Sequence, residues 1–352
     1  MAKVIVVGGR ENPEKPNMGQ YLVNALLSLG IEIVCVRTSS AVYRPTKAGW
    51  KLLKTYFSAP SYETVAAALD EHIDGVDAIM IATPSNREIE RPYVDYALKR
   101  NIYVATIAKD LLANEWDKYK PHLSMIGHYG SVGGRSLVLP WAKMQQLPGK
   151  NYHLYGYLNA TIECFFDGTK ERSPHEMYRT VKALSLAEPE SEDYVSCVNV
   201  EIGSDYVRKI PIFVNACLLA ADASSMTPAH FEKYVELRPE HILQITNRGE
   251  RFALCISSND TMPLEVEKGT PGTLSAQFGG LTILGGFCDP KRNVNLNGWM
   301  KGGAKNGVKI IFQSGRNESG QTETTGEGAG PDTVWSAIIN LREHLARVGS
   351  RA

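Results

Sequence analysis

The chain has 352 residues, 43% of them apolar, which is more than one hydrophobic core usually organises, so two domains are expected. Its 38 basic and 38 acidic residues cancel without a long run of either sign, which removes the electrostatic footprint of a nucleic-acid binder. The most apolar later stretch, 210–223, is interrupted by Pro211, Asn215 and Asp222 and falls short of the roughly 20 residues a bilayer span needs, so no membrane association is expected. The six cysteines contain no Cys-x-x-Cys pair and the eight histidines no metal-ligand spacing, so neither disulfides nor a catalytic metal is expected, and a reducing cytoplasm fits.

In chain order, a short β-branched run at Val4–Val7 is too brief for a signal-peptide core and reads as a first strand. A helix from about Met18 to Leu29 and a strand at Ile31–Val36 follow, and this βαβ opening calls for a parallel sheet. Helical patterns at Tyr62–Glu71 and Glu88–Arg100 alternate with strands at Ala78–Ala82 and Tyr103–Ala105, the second leading to Lys109. Residues 1–124 therefore read as a doubly wound α/β domain.

From Met125 the elements become longer and more polar, at His153–Ile162, at a helix over Pro174–Leu184, and at a second helix over about Ser204–Ala223. A second α/β domain is expected over 125–312. Within it, Thr261–Phe287 is rich in Gly and Thr with alternating apolar residues, the pattern of an antiparallel sheet that would also offer a subunit interface. Two further runs, Val308–Gln313 and Gln321–Thr325, flank a turn at Ser314–Gly320. A last helix starts at Pro331 and carries Val334, Ile338, Leu341 and Leu345 on one face.

A dinucleotide site of the Rossmann type needs glycines between the first strand and helix, so that the backbone approaches a pyrophosphate at the helix N-terminus. Here Gly8 and Gly9 close the strand and Gly19 follows a polar insertion, a stretched version of that loop. A Gly-rich turn after a strand is often only a turn; the βαβ context favours the nucleotide reading. At the end of the second strand, where a carboxylate would select NAD, the chain has Arg37, Thr38, Ser39 and Ser40, a cation beside hydroxyls suited to the 2′-phosphate of NADP. The plain alternative is that Arg37 is a solvated loop residue. Thr83 and Pro84 end the next strand, placed to line a nicotinamide pocket, although Thr-Pro is also a common strand terminator.

Four separated regions, in order, resemble homoserine dehydrogenase. Val104–Ala113 (VATIAKDLLA) is similar to that family's VVTANKxLLA, which implies that Lys109 lies over the nicotinamide. Gly130–Gly134 (GSVGG) partly matches ATVGGG, with Arg135 in place of the third glycine; the resemblance implies carbonyls near Val132 and Gly134 as a monovalent-cation site. Gly156–Thr161 (GYLNAT) resembles GILNGT, Leu186–Asp193 (LAEPESED) resembles YAEPDPxxD, and Gly203–Lys209 (GSDYVRK) resembles GxDVARK. Gly326–Gly330 (GEGAG) resembles the closing GxGAG that returns the chain to the cofactor, which implies Gly328 and Gly330 as cofactor-binding residues and 313–352 as a return to the first domain.

The resemblance implies a Rossmann-type doubly wound parallel sheet plus an α/β substrate-binding and dimerisation domain, forming a homodimer. It also implies NADP-dependent hydride transfer to an amino-carbonyl substrate such as L-aspartate 4-semialdehyde. Lys209, one helical turn after Asp205, is the candidate proton donor, with Lys109 assisting. Without the resemblance, an Asp/Lys pair at that spacing is usually a surface ion pair. Glu188 would bind the substrate ammonium, with Thr161 and Asp193 nearby, although Thr and Asp also favour caps and loops. The chain stops soon after the last helix, so no C-terminal regulatory domain is expected. The rival readings are a relative acting on a different amino-carbonyl or imine compound, and a catalytically silent NADP-binding sensor.

Overall fold

A computed structural model describes residues 2–9, 17–46, 49–55, 59–167, 172–188, 190–259, 261–300, 303–314, 317–327 and 333–349. The chain divides into two compact units, one of residues 1–131 with 331–352 and the other of residues 132–330.

The first unit follows β1 (Lys3–Val7), α1 (Met18–Ser28), β2 (Glu32–Arg37), β3 (Ala41–Thr46), β4 (Gly49–Thr55), α2 (Tyr62–Leu69), β5 (Ala78–Ile81), α3 (Arg87–Lys99), β6 (Tyr103–Thr106), α4 (Asp110–Tyr119) and β7 (Ile126–Gly127). Its sheet has the order β4-β3-β2-β1-β5-β6-β7, with β2, β1, β5, β6 and β7 parallel. The central strands β1 and β5 are buried almost throughout, as uninterrupted β-branched and apolar runs require when helices cover both faces. The antiparallel hairpin β3–β4 extends the sheet beyond β2 and is not foreshadowed in the sequence. Pro45 and three lysines and arginines among its exposed or half-buried positions suit an edge, where pairing with another chain must be discouraged.

The second unit begins with α5 (Val138–Met144), β8 (Tyr152–Tyr157), α6 (Ala160–Phe165), α7 (Pro174–Ala183) and α8 (Tyr194–Val200). A π-helical turn at Glu201–Tyr206 joins α8 to α9 (Val207–Cys217), so the expected helix over 204–223 in fact starts ten residues earlier and ends at 217. The early start has a local cause: the Asp193 side chain and Ser196 form a reciprocal capping box. Then come α10 (Pro239–Arg248), β9 (Arg251–Ser257), β10 (Leu274–Phe278), β11 (Leu281–Cys288), β12 (Lys305–Ser314) and β13 (Asn317–Glu327). These form an antiparallel sheet in the order β10-β11-β9-β8-β12-β13.

One face of this sheet presents Tyr155, Tyr157, Ala253, Cys255 and Ile311, and the chain itself covers it with Leu264, Leu296, Trp299 and Met300. Leu264 and Val266 therefore belong to a covering loop, and the sheet of the 261–287 segment is confined to β10 and β11. Because β13 pairs along its length with β12, the chain returns to the first unit only after it, rather than at 313. The return is α11 (Thr333–Gly349), whose Val334, Ile338 and Leu341 are buried with Val4, Leu22, Leu26 and Ala105. Each such side chain contributes about 1.5–3 kcal/mol of burial. No helix of the described residues is long and apolar enough to cross a membrane.

Candidate functional site

In the first unit the β1–α1 junction is built for close backbone approach. Gly8 has φ +105°, and a Cβ there would stand 2.3 Å from the Ala82 carbonyl oxygen at the end of β5. A Cβ at Gly9 would meet Val36 at 2.5 Å, and one at Gly19 would lie 2.4 Å from the Gly8 oxygen. Only glycine fits all three positions. Asn17 caps α1 by accepting the Gln20 amide at 2.9 Å, and its Nδ2 donates to the Gly8 oxygen at 3.0 Å, which fixes the turn to the helix start. The exposed amides and dipole of such a start favour an anion. The cradle fits a dinucleotide pyrophosphate. Gly328 and Gly330 lie outside the described residues.

Arg37 ends β2, but its guanidinium does not splay outward. It is 2% exposed and donates through Nη1 to the carbonyls of Thr38 and Ala41, the latter at 3.3 Å, closing the β2–β3 turn. Ser39 and Ser40 are the exposed residues of that turn. The sequence could not show this, because the inward direction of Arg37 depends on β3, which pairs Val42 opposite it.

The carboxyl ends of the adjacent parallel strands β5 and β6 are tied together. Thr83 and Pro84 follow β5, and Ser85 Oγ accepts the backbone amide of Lys109, the N-cap residue of α4, at 3.3 Å. Thr83 Oγ1 is sealed from water without a hydrogen-bond partner among the described residues. Ser131 Oγ donates to the Ala108 carbonyl at 2.8 Å and holds the same turn from the other side.

In the second unit, Lys209 and Asp205 are both buried, with Lys209 Nζ 2.6 Å from Asp205 Oδ2 and 2.8 Å from the Leu158 carbonyl oxygen. Asn159, which caps α6 through its Oδ1, donates from Nδ2 to Asp205 at 2.9 Å and to Glu201 at 2.6 Å. Burial first, then the neighbouring Asp205 and Glu188 charges, push the Glu201 carboxyl well above the carboxylate range, against the pull of Asn159 and Lys209. Tyr206 lies wholly buried beside the group, its hydroxyl accepting the Leu158 amide at 3.0 Å.

Glu188 adjoins this cluster, its backbone amide 3.3 Å from Glu201 Oε1, and Thr161 holds the same segment by donating to the Leu186 carbonyl at 2.8 Å. The structure thus brings together Lys209, Asp205, Glu188 and Thr161. Asp193 is not among them. It is exposed, and the Ser196 amide, 2.7 Å from its Oδ1, heads the contacts that hold its carboxyl below the usual range. Asn159, Glu201 and Tyr206 are additions to the sequence reading. Glu201 carried a legible signal, since 201, 205 and 209 follow at helical spacing; Asn159 lay within a quoted motif.

Among the described residues, no group of three or more His, Cys, Asp or Glu side chains could hold a metal ion. No protein-family model matches the chain, and no curated protein matches it. Solved structures do. A homoserine dehydrogenase from Thermoplasma acidophilum aligns over 98% of this chain and 99% of its own, with TM-score 0.65 and 17% identity. One from Thiobacillus denitrificans aligns over 99% of this chain and 74% of its own, with TM-score 0.60 and 16% identity. A hyperthermophilic archaeal homoserine dehydrogenase in complex with NADPH aligns over 98% of both chains, with TM-score 0.59 and 13% identity. The chain has the homoserine dehydrogenase fold: a doubly wound parallel sheet with a second, antiparallel-sheet unit.

Proposed function

We propose that the protein is an NADP-dependent oxidoreductase resembling homoserine dehydrogenase, acting between NADPH and an amino aldehyde such as L-aspartate 4-semialdehyde to give L-homoserine. The observation that carries this reading is the buried Lys209 on α9, held by the Leu158 carbonyl and by Asp205, which lies on the π-helical turn leading into that helix, a feature frequent at functional sites. The cofactor, when bound, supplies the hydride that adds to the carbonyl carbon. The oxygen then becomes an alkoxide and needs a proton, which Lys209 Nζ delivers and recovers on the reverse path.

Asp205 and the Leu158 carbonyl fix the ammonium group for that transfer. Glu188 holds the substrate ammonium, and Thr161 keeps the Glu188 segment in place through Leu186. Lys109, at the carboxyl end of β6 where open α/β sheets collect ligands, assists on the cofactor side. Gly8, Gly9 and Gly19 hold the pyrophosphate.

The test is oxidation of NADPH, with NADH in parallel, against a panel of amino aldehydes headed by aspartate semialdehyde. Turnover with that compound supports the assignment. Tight NADPH binding with no turnover of any member sinks it in favour of a silent sensor.

A further inference from the structure

Lys109 occupies a position its chemistry does not suit. It is the N-cap residue of α4, where Asn, Asp, Ser or Thr would accept an amide of the first turn, and it makes no side-chain cap. Asp110, first residue of α4, in turn accepts the backbone amide of Arg87 at the start of α3, at 3.0 Å. α4 thus lends α3 a carboxylate where unsatisfied amides and the positive end of the dipole favour one.

Glu90, a fully buried carboxyl on α3, reaches the strand end that leads to this turn. Its Oε1 accepts the Thr106 hydroxyl at 2.6 Å, and Thr106 Oγ1 in turn accepts the Ala108 amide at 3.1 Å, one residue before Lys109. From this geometry we infer that Glu90 is a positioning residue for Lys109. Through Thr106 it sets the turn that presents the lysine. The inference rests on the reading that Lys109 serves the reaction.

The charged groups that face Glu90 are Asp110 and Glu115, both on α4, and Glu115 is itself paired with Arg91. Burial, offset by Thr106 and reinforced by those two carboxylates, lifts the Glu90 carboxyl to about 7. Its ionised form is the better acceptor for the Thr106 hydroxyl, so turnover rises as pH passes through that value.

The experiment compares the unmodified protein with Glu90→Ala and with Glu90→Gln. In Glu90→Ala, kcat falls by about tenfold while the KM for NADPH changes by less than about twofold, and the rise of rate across pH 7 is flattened. Hydrogen exchange at the Ala108 amide, held by Thr106 Oγ1, accelerates by about tenfold in Glu90→Ala, and protection returns in Glu90→Gln, whose amide oxygen still accepts the Thr106 hydroxyl, without restoring the pH dependence. Unchanged exchange overturns the hold on the turn, and an unchanged rate and pH profile overturn the positioning role. Lack of turnover in the unmodified protein sinks the dehydrogenase reading and, with it, the positioning role, while the exchange result still decides the hold on the turn.

Discussion

Lys209 and Asp205 stand one helical turn apart with their charged atoms 2.6 Å from each other, in a place where their side chains are only 11% and 5% exposed. An ion pair at this spacing on an open helix face is worth a few tenths of a kcal/mol; a buried one is retained only with hydrogen bonds to its remaining valences. Leu158 and Asn159 supply those bonds. Lys209→Ala is expected to lower turnover by at least about a hundredfold through loss of the proton donor. It also leaves Asp205 uncompensated, at about 3–5 kcal/mol of stability. The check is steady-state turnover measured well below the lowered melting temperature, with NADPH affinity as the control; near-normal turnover returns the pair to a structural role.

The inward guanidinium of Arg37 leads to a different outcome from the one its sequence position invites. Removing it strips the Thr38 and Ala41 carbonyls of a charged donor, so Arg37→Ala is expected to cost about 2–3 kcal/mol of stability. The ratio of NADPH to NADH affinity should then change by less than about threefold. Titration of both cofactors against the variant decides it: a selective loss of NADPH affinity would show that Arg37 turns outward to meet the 2′-phosphate.

The contrast between these two residues shows what the sequence can carry. The Lys209 and Asp205 relation is a matter of spacing on one helix, and spacing is written in the chain. So are the apolar runs of β1 and β5 and the glycines at 8, 9 and 19, whose lack of a Cβ is their function. The direction of Arg37, by contrast, is decided by a hairpin that pairs across the sheet, and the cap made by Asp193 is chemically the same carboxylate as a substrate ligand. Glu90 and Thr106 are 16 residues apart and meet only because β5, α3 and β6 fold side by side. Polar residues whose partners lie on other elements are thus the part that a single sequence conceals.

Glu90 also predicts a pH dependence of stability opposite in sign to its effect on rate. Its carboxyl stands at about 7 in the fold, against 4.5 when unperturbed, so between these values the folded chain holds the proton that the unfolded chain has lost. Stability is therefore full below pH 4.5 and declines as pH rises to about 7, by an amount on the order of 3 kcal/mol for this group. Glu63, Glu176 and Asp193, whose carboxyls are lowered, act with the opposite sign but only in more acidic solution. Denaturant unfolding at pH 5.5 and pH 8 is expected to show the more acidic sample as more stable, and Glu90→Gln to reduce the difference. An equal difference in the variant would remove Glu90 as its source.

The last prediction concerns Asn159, which donates from one amide group to two buried carboxylates, Glu201 and Asp205. Two such carboxyls beside one lysine cannot both ionise cheaply, and the amide, by serving both, allows Asp205 to stay paired with Lys209 while Glu201 holds its proton. Replacing Asn159 by Asp keeps the size and keeps an acceptor for the Ile162 amide that caps α6. It converts the shared donor into a third acidic group. Asn159→Asp is thus expected to lower kcat by about a hundredfold and to displace the pH optimum toward acid, where the added carboxyl is protonated and can donate again. Asn159→Ala, lacking both donor and cap, should lose about 1–2 kcal/mol of stability without that acidic displacement. A pH–rate profile of the Asp variant that superimposes on that of the unmodified protein would show that the amide shared by Glu201 and Asp205 takes no part in the reaction.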